Sequence, residues 1–96
     1  MLRHCVLLTF QDDVGPPQLE ALTTALAELA DLPMVASYRF GTDLGLAEGN
    51  VDFAIVADFA SVDDYQAYAT DPTHQAVLQG QLRPLIAERR ALQFEF

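Results

Sequence analysis

Cysteine and clustered metal ligands are what this sequence most clearly lacks. Cys5 is its only cysteine, so the chain can form no internal disulfide and no cysteine-based metal cluster. The two histidines, His4 and His74, lie far apart and form no His-x3-His or comparable group, which predicts that no metal is bound. Because a protein without disulfides suits a reducing compartment, we expect it in the cytoplasm.

Positive charge is also scarce. Lys and Arg together number 5 against 14 Asp and Glu, which gives a formal net charge of −9 at pH 7. Such a surface repels phosphate backbones and anionic lipid headgroups, so we expect no nucleic acid and no membrane as partner. No apolar run is long enough to cross a bilayer, and the first ten residues, MLRHCVLLTF, lack the long apolar region and cleavage site of a signal peptide.

A phosphate-binding turn is missing as well. Residues 41–50, GTDLGLAEGN, contain three of the 5 glycines, but they lack the spacing and the strand-to-helix context of a nucleotide-binding loop. We interpret this segment as a surface connection. No cofactor is therefore predicted.

What the chain does contain is apolar material for one small core. Hydrophobic residues make up 51% of the 96 residues, which argues for a folded chain and for a single domain over residues 1–96. A chain this short buries only part of its surface on folding. We therefore expect a second copy to complete the buried surface.

Four segments have the alternation of a strand: Leu2–Phe10, Met34–Phe40, Val51–Phe59 and a terminal strand in LQFEF, residues 92–96. In the first, parity places one set of side chains on one face: His4, Val6, Leu8 and Phe10. Three helices lie between the strands. The first follows the prolines of QDDVGPP and has an apolar stripe at three- and four-residue spacings: Leu19, Leu22, Leu26 and Leu29.

The second helix is predicted to begin at Ser61, with Asp64 three positions on as a capping-box acid. DPTH, residues 71–74, then ends it and starts a third helix. Pro84 should kink or break that helix before the segment Ile86–Arg90.

The order β-α-β-β-α-(α)-β predicts an α+β protein with a ferredoxin-like, four-stranded antiparallel sheet and its helices on one face. The other face keeps an apolar patch: Cys5, Leu7, Val35, Ala54 and Val56. Polar side chains surround that patch: Arg3, Thr9, Ser37, Arg39, Asp52 and Asp58. Because an exposed apolar sheet face marks an interface, we expect a homodimer that forms through it.

Four stretches carry a resemblance to a known family: LRHCVLLTF, SYRFGTDLG, VADFASVDDYQAYATDPTHQAV and RALQFEF. Together they resemble the stress-responsive A/B barrel (Dabb) family over nearly the whole chain. The resemblance implies a dimeric α+β barrel. It implies less about activity, since many members have no assigned reaction.

One branch of that family, of the plant olivetolic acid cyclase type, closes a polyketide chain by aldol condensation without a cofactor. The resemblance to that branch makes His74 the general base, Tyr68 its partner and His4 a histidine of the pocket. An imidazole can take a proton from an enolisable carbon and a phenol can hold the enolate oxygen. A further histidine of that branch is absent here, and Phe53 falls at about its place, which implies a more apolar pocket.

Each of these residues also has a purely structural interpretation. His74 can have only a structural role at the start of its helix, with a hydrogen bond to Tyr68 or to the backbone. His4 can be a core histidine whose ring nitrogens have hydrogen-bond partners. Tyr65 and Tyr68 can be amphipathic core aromatics. Three functions stay open: cofactor-free acid–base catalysis on a carbonyl or polyketide-like ligand, as in a cyclase or lyase; a non-catalytic stress-response or ligand-binding protein; and a cofactor-free oxygenase.

Overall fold

A computed structural model describes all of residues 1–96 as a sheet covered by helices on one side. The elements follow the order β1 (Leu2–Phe10), α1 (Pro16–Leu29), β2 (Ser37–Thr42), β3 (Phe53–Phe59), α2 (Val62–Thr70), α3 (Pro72–Val77) and β4 (Ile86–Glu95). Between α3 and β4 the chain passes through a π-helical turn, Leu78–Leu82, and a 3-10 turn, Arg83–Leu85. This order confirms the predicted β-α-β-β-α-α-β arrangement.

The four strands form one antiparallel sheet in the order β2-β3-β1-β4. This is the ferredoxin-like sheet that the sequence predicts. Alternate residues of β1 and β3 are buried under the helices: Leu2, His4, Val6, Leu8, Phe53, Ile55, Ala57 and Phe59. We call this side of the sheet the inner face. Helix α1 packs its apolar stripe on the same core through Leu22, Leu26 and Leu29, as its spacing predicts.

Helix α2 begins where the sequence predicts, although the full capping box does not form. The Ser61 Oγ accepts a hydrogen bond from the backbone N–H of Asp64 at 3.1 Å, so Ser61 is the N-cap. The Asp64 carboxylate makes no return bond to the Ser61 backbone. One orphan donor is therefore satisfied rather than two.

The bounds of β2, β3 and β4 differ from the sequence prediction, and β2 ends at Thr42 rather than Phe40. Strand β2 begins at Ser37 rather than Met34, because the chain leaving α1 turns through residues 30–34 before it pairs with β3. Strand β3 begins at Phe53 rather than Val51. The segment Ile86–Arg90 is the first half of β4, since all of it pairs along β1; the sequence suggested only a strand from Leu92.

The side of the sheet away from the helices, which we call the open face, is more apolar than predicted. Cys5, Leu7, Ala54 and Val56 lie there, while Val35 precedes β2 and packs against the core instead. Cross-strand pairing adds Leu92 opposite Cys5 and Phe94 opposite Arg3. Large apolar side chains are exposed on it: Leu7 by 44%, Leu92 by 57%, Phe94 by 44% and Phe96 by 60%.

Two ion pairs lie on this face, Arg3–Asp58 and Arg90–Glu88. The Arg3 guanidinium donates two hydrogen bonds to the Asp58 carboxylate, at 2.8 and 2.9 Å, and it stacks over the Phe96 ring at 4.8 Å. This ion pair lowers the pKa of Asp58 below its ordinary value. None of the helices is both long enough and apolar enough to cross a membrane.

Candidate functional site

A cavity of about 320 Å³ lies between the inner face of the sheet and the layer formed by α2, α3 and the π-helical turn. Of its 16 lining residues, 11 are hydrophobic, so a ligand inside would meet mostly apolar walls with a few polar groups, as is usual for small-molecule sites. The three site residues expected from the sequence, His4, Tyr68 and His74, all line it. The fold thus brings together residues that are far apart in the chain.

His74 is held at the start of α3 by the chemistry of DPTH. The Asp71 carboxylate accepts from the backbone N–H of Thr73 at 2.9 Å and of His74 at 3.3 Å, which caps the helix. Pro72 occupies the first helical position, where its missing N–H has no cost. These contacts fix the backbone from which the imidazole enters the cavity.

The His74 ring lies against Tyr68 and contacts a carbonyl. The two ring centroids are 4.0 Å apart, with 34° between the planes, and Nδ1 is 3.4 Å from the Ala69 carbonyl oxygen. Because a carbonyl can only accept, Nδ1 must carry the proton in this contact. The other nitrogen, Nε2, then keeps its lone pair.

Burial lowers the pKa of His74 below its ordinary 6.5, because an imidazolium loses water in the cavity. The hydrogen bond to Ala69 and the nearby Asp71 carboxylate oppose this effect, but they are the smaller causes. His74 is therefore neutral at pH 7. Desolvation in the cavity is the main cause of this neutral state.

Tyr68 points its hydroxyl at another tyrosine rather than at His74. Its oxygen is 3.1 Å from the Tyr38 hydroxyl oxygen, across from α2 to β2. Burial raises the pKa of both phenols, for Tyr38 as well as Tyr68, so both hydroxyls stay protonated at neutral pH. The cavity thus contains a pair of linked O–H groups.

His4 is buried on β1 and has a polar partner from the terminal strand. Gln93 Nε2 lies 2.7 Å from His4 Nδ1, and the His4 ring packs 5.1 Å from the Tyr65 ring. Burial, with a smaller contribution from the Arg89 charge, lowers the pKa of His4 to about 4. Since the amide N–H₂ donates to Nδ1 of this neutral ring, the proton of His4 is on Nε2.

Five polar residues of the cavity or its partners were not identified from the sequence: Tyr38, Gln75, Arg83, Arg89 and Gln93. Tyr38 and Phe40 share one face of the predicted strand Met34–Phe40 by parity, and that alternation is the signal available in the sequence. Arg89 lies before the predicted strand 92–96, so its side chain could not be placed. Gln93 lies inside that strand, but its contact with His4 depends on the register of β1 and β4. Phe53, expected to make the pocket more apolar, packs instead in the core between Phe10 and Phe40.

Comparisons with known proteins agree with this architecture. The family model of the stress responsive A/B barrel domain, Dabb, matches residues 2–96. A dimeric ferredoxin-like protein of unknown function from Thermobifida fusca is 45% identical, with a TM-score of 0.92 over 99% of this chain and 90% of that chain. No curated protein matches the sequence.

More distant solved structures share the fold alone. A Dabb family protein from Mesorhizobium loti is 16% identical, with a TM-score of 0.84 over 99% of this chain and 95% of that one. Hydroxynitrile lyase from Passiflora edulis is 19% identical, with a TM-score of 0.85 over 97% of this chain and 90% of that one. One sheet and helix arrangement therefore occurs both in proteins without an assigned reaction and in an enzyme.

Proposed function

Because this chain belongs to the stress responsive A/B barrel (Dabb) family, we propose that it binds a small carbonyl compound in the cavity and acts on it by acid–base chemistry without a cofactor. The cyclase or lyase class fits this chemistry, with a polyketide-like ligand as one form of the substrate. The observation that carries the proposal is the hydrogen-bonding state of His74, whose Nδ1 faces the Ala69 carbonyl at 3.4 Å. That contact leaves Nε2 as a neutral base in a desolvated site.

In this mechanism His74 Nε2 takes a proton from the carbon next to the carbonyl. The electron pair of that C–H bond forms the carbon–carbon double bond of an enolate, and the carbonyl oxygen takes the negative charge. The Tyr38–Tyr68 hydroxyl pair and the Nε2–H of His4 are the donors available to that oxygen. The enolate carbon then attacks a second carbonyl of the ligand, whose oxygen takes the proton from His74 and becomes a hydroxyl. Without a second carbonyl, the enolate carbon takes that proton back.

A lyase with this fold is known, since the Passiflora edulis protein is a hydroxynitrile lyase. The second candidate function is binding without turnover. The apolar lining of the cavity, with 11 of 16 residues hydrophobic, favours retention of a ligand whether or not it reacts. The two functions differ only in whether His74 moves a proton.

Exchange of carbon-bound protons tests the proposal with an uncharged ketone. We expect the protein to accelerate deuterium incorporation next to the carbonyl of 2-heptanone in D₂O at pH 7, followed by NMR. His74→Ala should return the rate to that of buffer, and Tyr68→Phe should lower it about 10- to 100-fold. Circular dichroism checks that both variants remain folded.

Three results would contradict the proposed mechanism. If 2-heptanone binds but its protons exchange no faster than in buffer, the binding function replaces the catalytic one. If His74→Ala exchanges protons as fast as the unmodified chain, the base is a different group. Unfolding of His74→Ala together with full activity of Tyr68→Phe would make the histidine a structural brace.

The assembly proposed with this function is a homodimer through the open face. Exposed Leu7, Leu92 and Phe94 form an apolar surface there, and a second copy of the same face is its natural complement. The Thermobifida fusca relative is described as dimeric. Because the cavity lies on the helix side of the sheet, the dimer leaves it accessible.

A further inference from the structure

Two arginines stand at the rim of the cavity of this acidic chain. Arg83 and Arg89 line it together with His4 and His74. The chain has only 5 basic residues and a formal net charge of −9. Two of the five basic residues therefore line the same mostly apolar cavity, and their charges make the cavity a local region of positive charge.

Neither rim arginine has an acidic partner. Arg3 and Arg90 form salt bridges with Asp58 and Glu88, but Arg83 bonds only the neutral Gln79 Oε1, at 3.2 Å. Arg89 forms no salt bridge and no side-chain hydrogen bond within the protein. With 14 acids in the sequence, the lack of a partner at these two positions leaves guanidinium donors free for an external anion.

The strand register explains why Arg89 reaches the cavity. Arg89 pairs with Leu8 across β1 and β4, and the Leu8 side chain is completely buried on the inner face. Because directly paired residues project to the same side of a sheet, Arg89 lies on the helix side. Arg83 approaches from the 3-10 turn that closes the helical layer.

We propose that the ligand of this cavity is a keto acid, whose carboxylate is bound by Arg89 and Arg83 at the rim while its carbonyl and apolar chain lie inside beside His74. This inference rests on the proposed carbonyl chemistry and adds the charge of the substrate. A guanidinium matches a carboxylate with two parallel hydrogen bonds. A cavity of about 320 Å³ with 11 hydrophobic lining residues holds one short apolar chain.

A carboxylate fits better than a phosphate. The net charge of −9 repels a dianion more strongly than a monoanion. The cavity lining contains no glycine, so the glycine-rich turn of backbone N–H groups that commonly binds phosphate is missing. A carboxylate, in contrast, can be bound by the side chains of Arg83 and Arg89 alone.

Calorimetric titration with 4-oxooctanoate and its uncharged isostere 4-oxooctanamide tests the inference. We expect the acid to bind at least about tenfold more tightly than the amide. Arg89→Gln and Arg83→Gln should each weaken binding of the acid, and the double variant should abolish the preference, while the amide changes by less than about twofold. Arg90→Gln is the matched control, because it removes the same charge from the adjacent residue on the opposite face.

Several outcomes would overturn the inference. Equal affinity for acid and amide, or no binding of either, contradicts it directly. An equal loss in Arg90→Gln would mean that net charge, rather than the two rim side chains, attracts the acid. Tighter binding of 3-oxoheptylphosphonate than of 4-oxooctanoate would make the ligand a phosphate type.

The two proposals can fail independently. The proton-exchange test uses an uncharged ketone and does not involve the arginines, whereas the titration measures binding and needs no turnover. His74→Ala should therefore keep the preference for the acid. Loss of proton exchange with an intact acid preference would leave a keto-acid-binding protein.

Discussion

His4 and His74 are both neutral imidazoles, but their hydrogen-bonding roles in the cavity are opposite. Gln93 donates to Nδ1 of His4, which leaves an N–H donor at Nε2. His74 donates its Nδ1–H to the Ala69 carbonyl oxygen, which leaves an acceptor at Nε2. A reaction next to a carbonyl needs one group that takes a proton and one that donates to oxygen, and burial keeps both rings in those states at pH 7.

The buried His4 should make folding stability fall in mild acid. Its pKa is about 4 in the folded protein, against 6.5 for the free side chain, so the unfolded chain binds a proton first as the pH falls. The contribution of the neutral His4 to stability is therefore fully present above pH 6.5 and is lost as the pH falls from 6.5 to about 4. Because one side of the ring faces the cavity, we expect a loss of about 1 to 2 kcal/mol between pH 7 and pH 5.

Urea denaturation at the two pH values measures this loss. His4→Gln provides the control, since it keeps a polar side chain at the position but does not titrate. Between pH 7 and pH 5, we expect His4→Gln to lose less stability than the unmodified chain. The difference between the two losses should be about 1 to 2 kcal/mol. Identical pH dependence in the two proteins would show that His4 is not desolvated in the folded state.

The linked hydroxyls of Tyr38 and Tyr68 should act as a unit. Removal of either oxygen breaks the same 3.1 Å contact, so Tyr38→Phe and Tyr68→Phe should each cost about 1 kcal/mol of stability. The double variant should cost less than the sum, because only one contact is lost. Denaturation of all three variants checks this, and strict additivity would mean that the hydroxyls do not interact.

At the scale of elements, the short helix α3 depends on its cap. It spans only Pro72–Val77, and a helix of this length has little stability of its own. The Asp71 carboxylate satisfies two of its free N–H groups. The position of His74 is thus tied to one side chain three residues before it.

Loss of this cap should lower stability and disturb the site together. We expect Asp71→Ala to cost about 1 kcal/mol in urea denaturation, with most of it recovered in Asp71→Asn, which can also cap. The imidazole NMR signals of His74 should shift in the alanine variant and remain near their original positions in the asparagine variant. Equal stability of the alanine variant and the unmodified chain would show that the cap contributes nothing.

At the scale of the whole molecule, the two faces of the sheet have separate tasks. The inner face carries the core and the cavity, whereas the open face exposes Leu7, Leu92 and Phe94 around the Arg3–Asp58 pair. Small chains bury a limited share of their surface. A dimer through the open face would add to the buried apolar area without closing the cavity.

A charge on the open face should prevent that dimer. We expect Val56→Asp and Leu92→Asp to give monomers or insoluble protein, because a carboxylate would be buried without a partner. Light scattering at micromolar concentration measures the mass, and Ala27→Asp, which adds the same charge at an exposed position of α1, should remain dimeric. A monomeric unmodified chain would contradict the proposed assembly.

The class of fold and most of its elements follow from the amino-acid sequence alone. The two-residue alternation of Leu2–Phe10 gave the bounds of β1 and its buried side, and the leucine spacing gave the buried stripe of α1, because these periods follow from local backbone geometry. Ser61 and DPTH marked helix starts, since capping depends on neighbouring residues. The involvement of His4, Tyr68 and His74 in one site came from the family resemblance rather than from any local pattern.

The contacts of those side chains depend on the three-dimensional fold. Pairing with β1 made Ile86–Arg90 a strand against its local pattern, and that register placed Arg89 at the cavity and Leu92 on the open face. The hydroxyl of Tyr68 contacts that of Tyr38, on a different element, while its ring packs against His74. The low pKa of both histidines also arises in the fold, because desolvation depends on the atoms packed around a ring, and those come from distant parts of the chain.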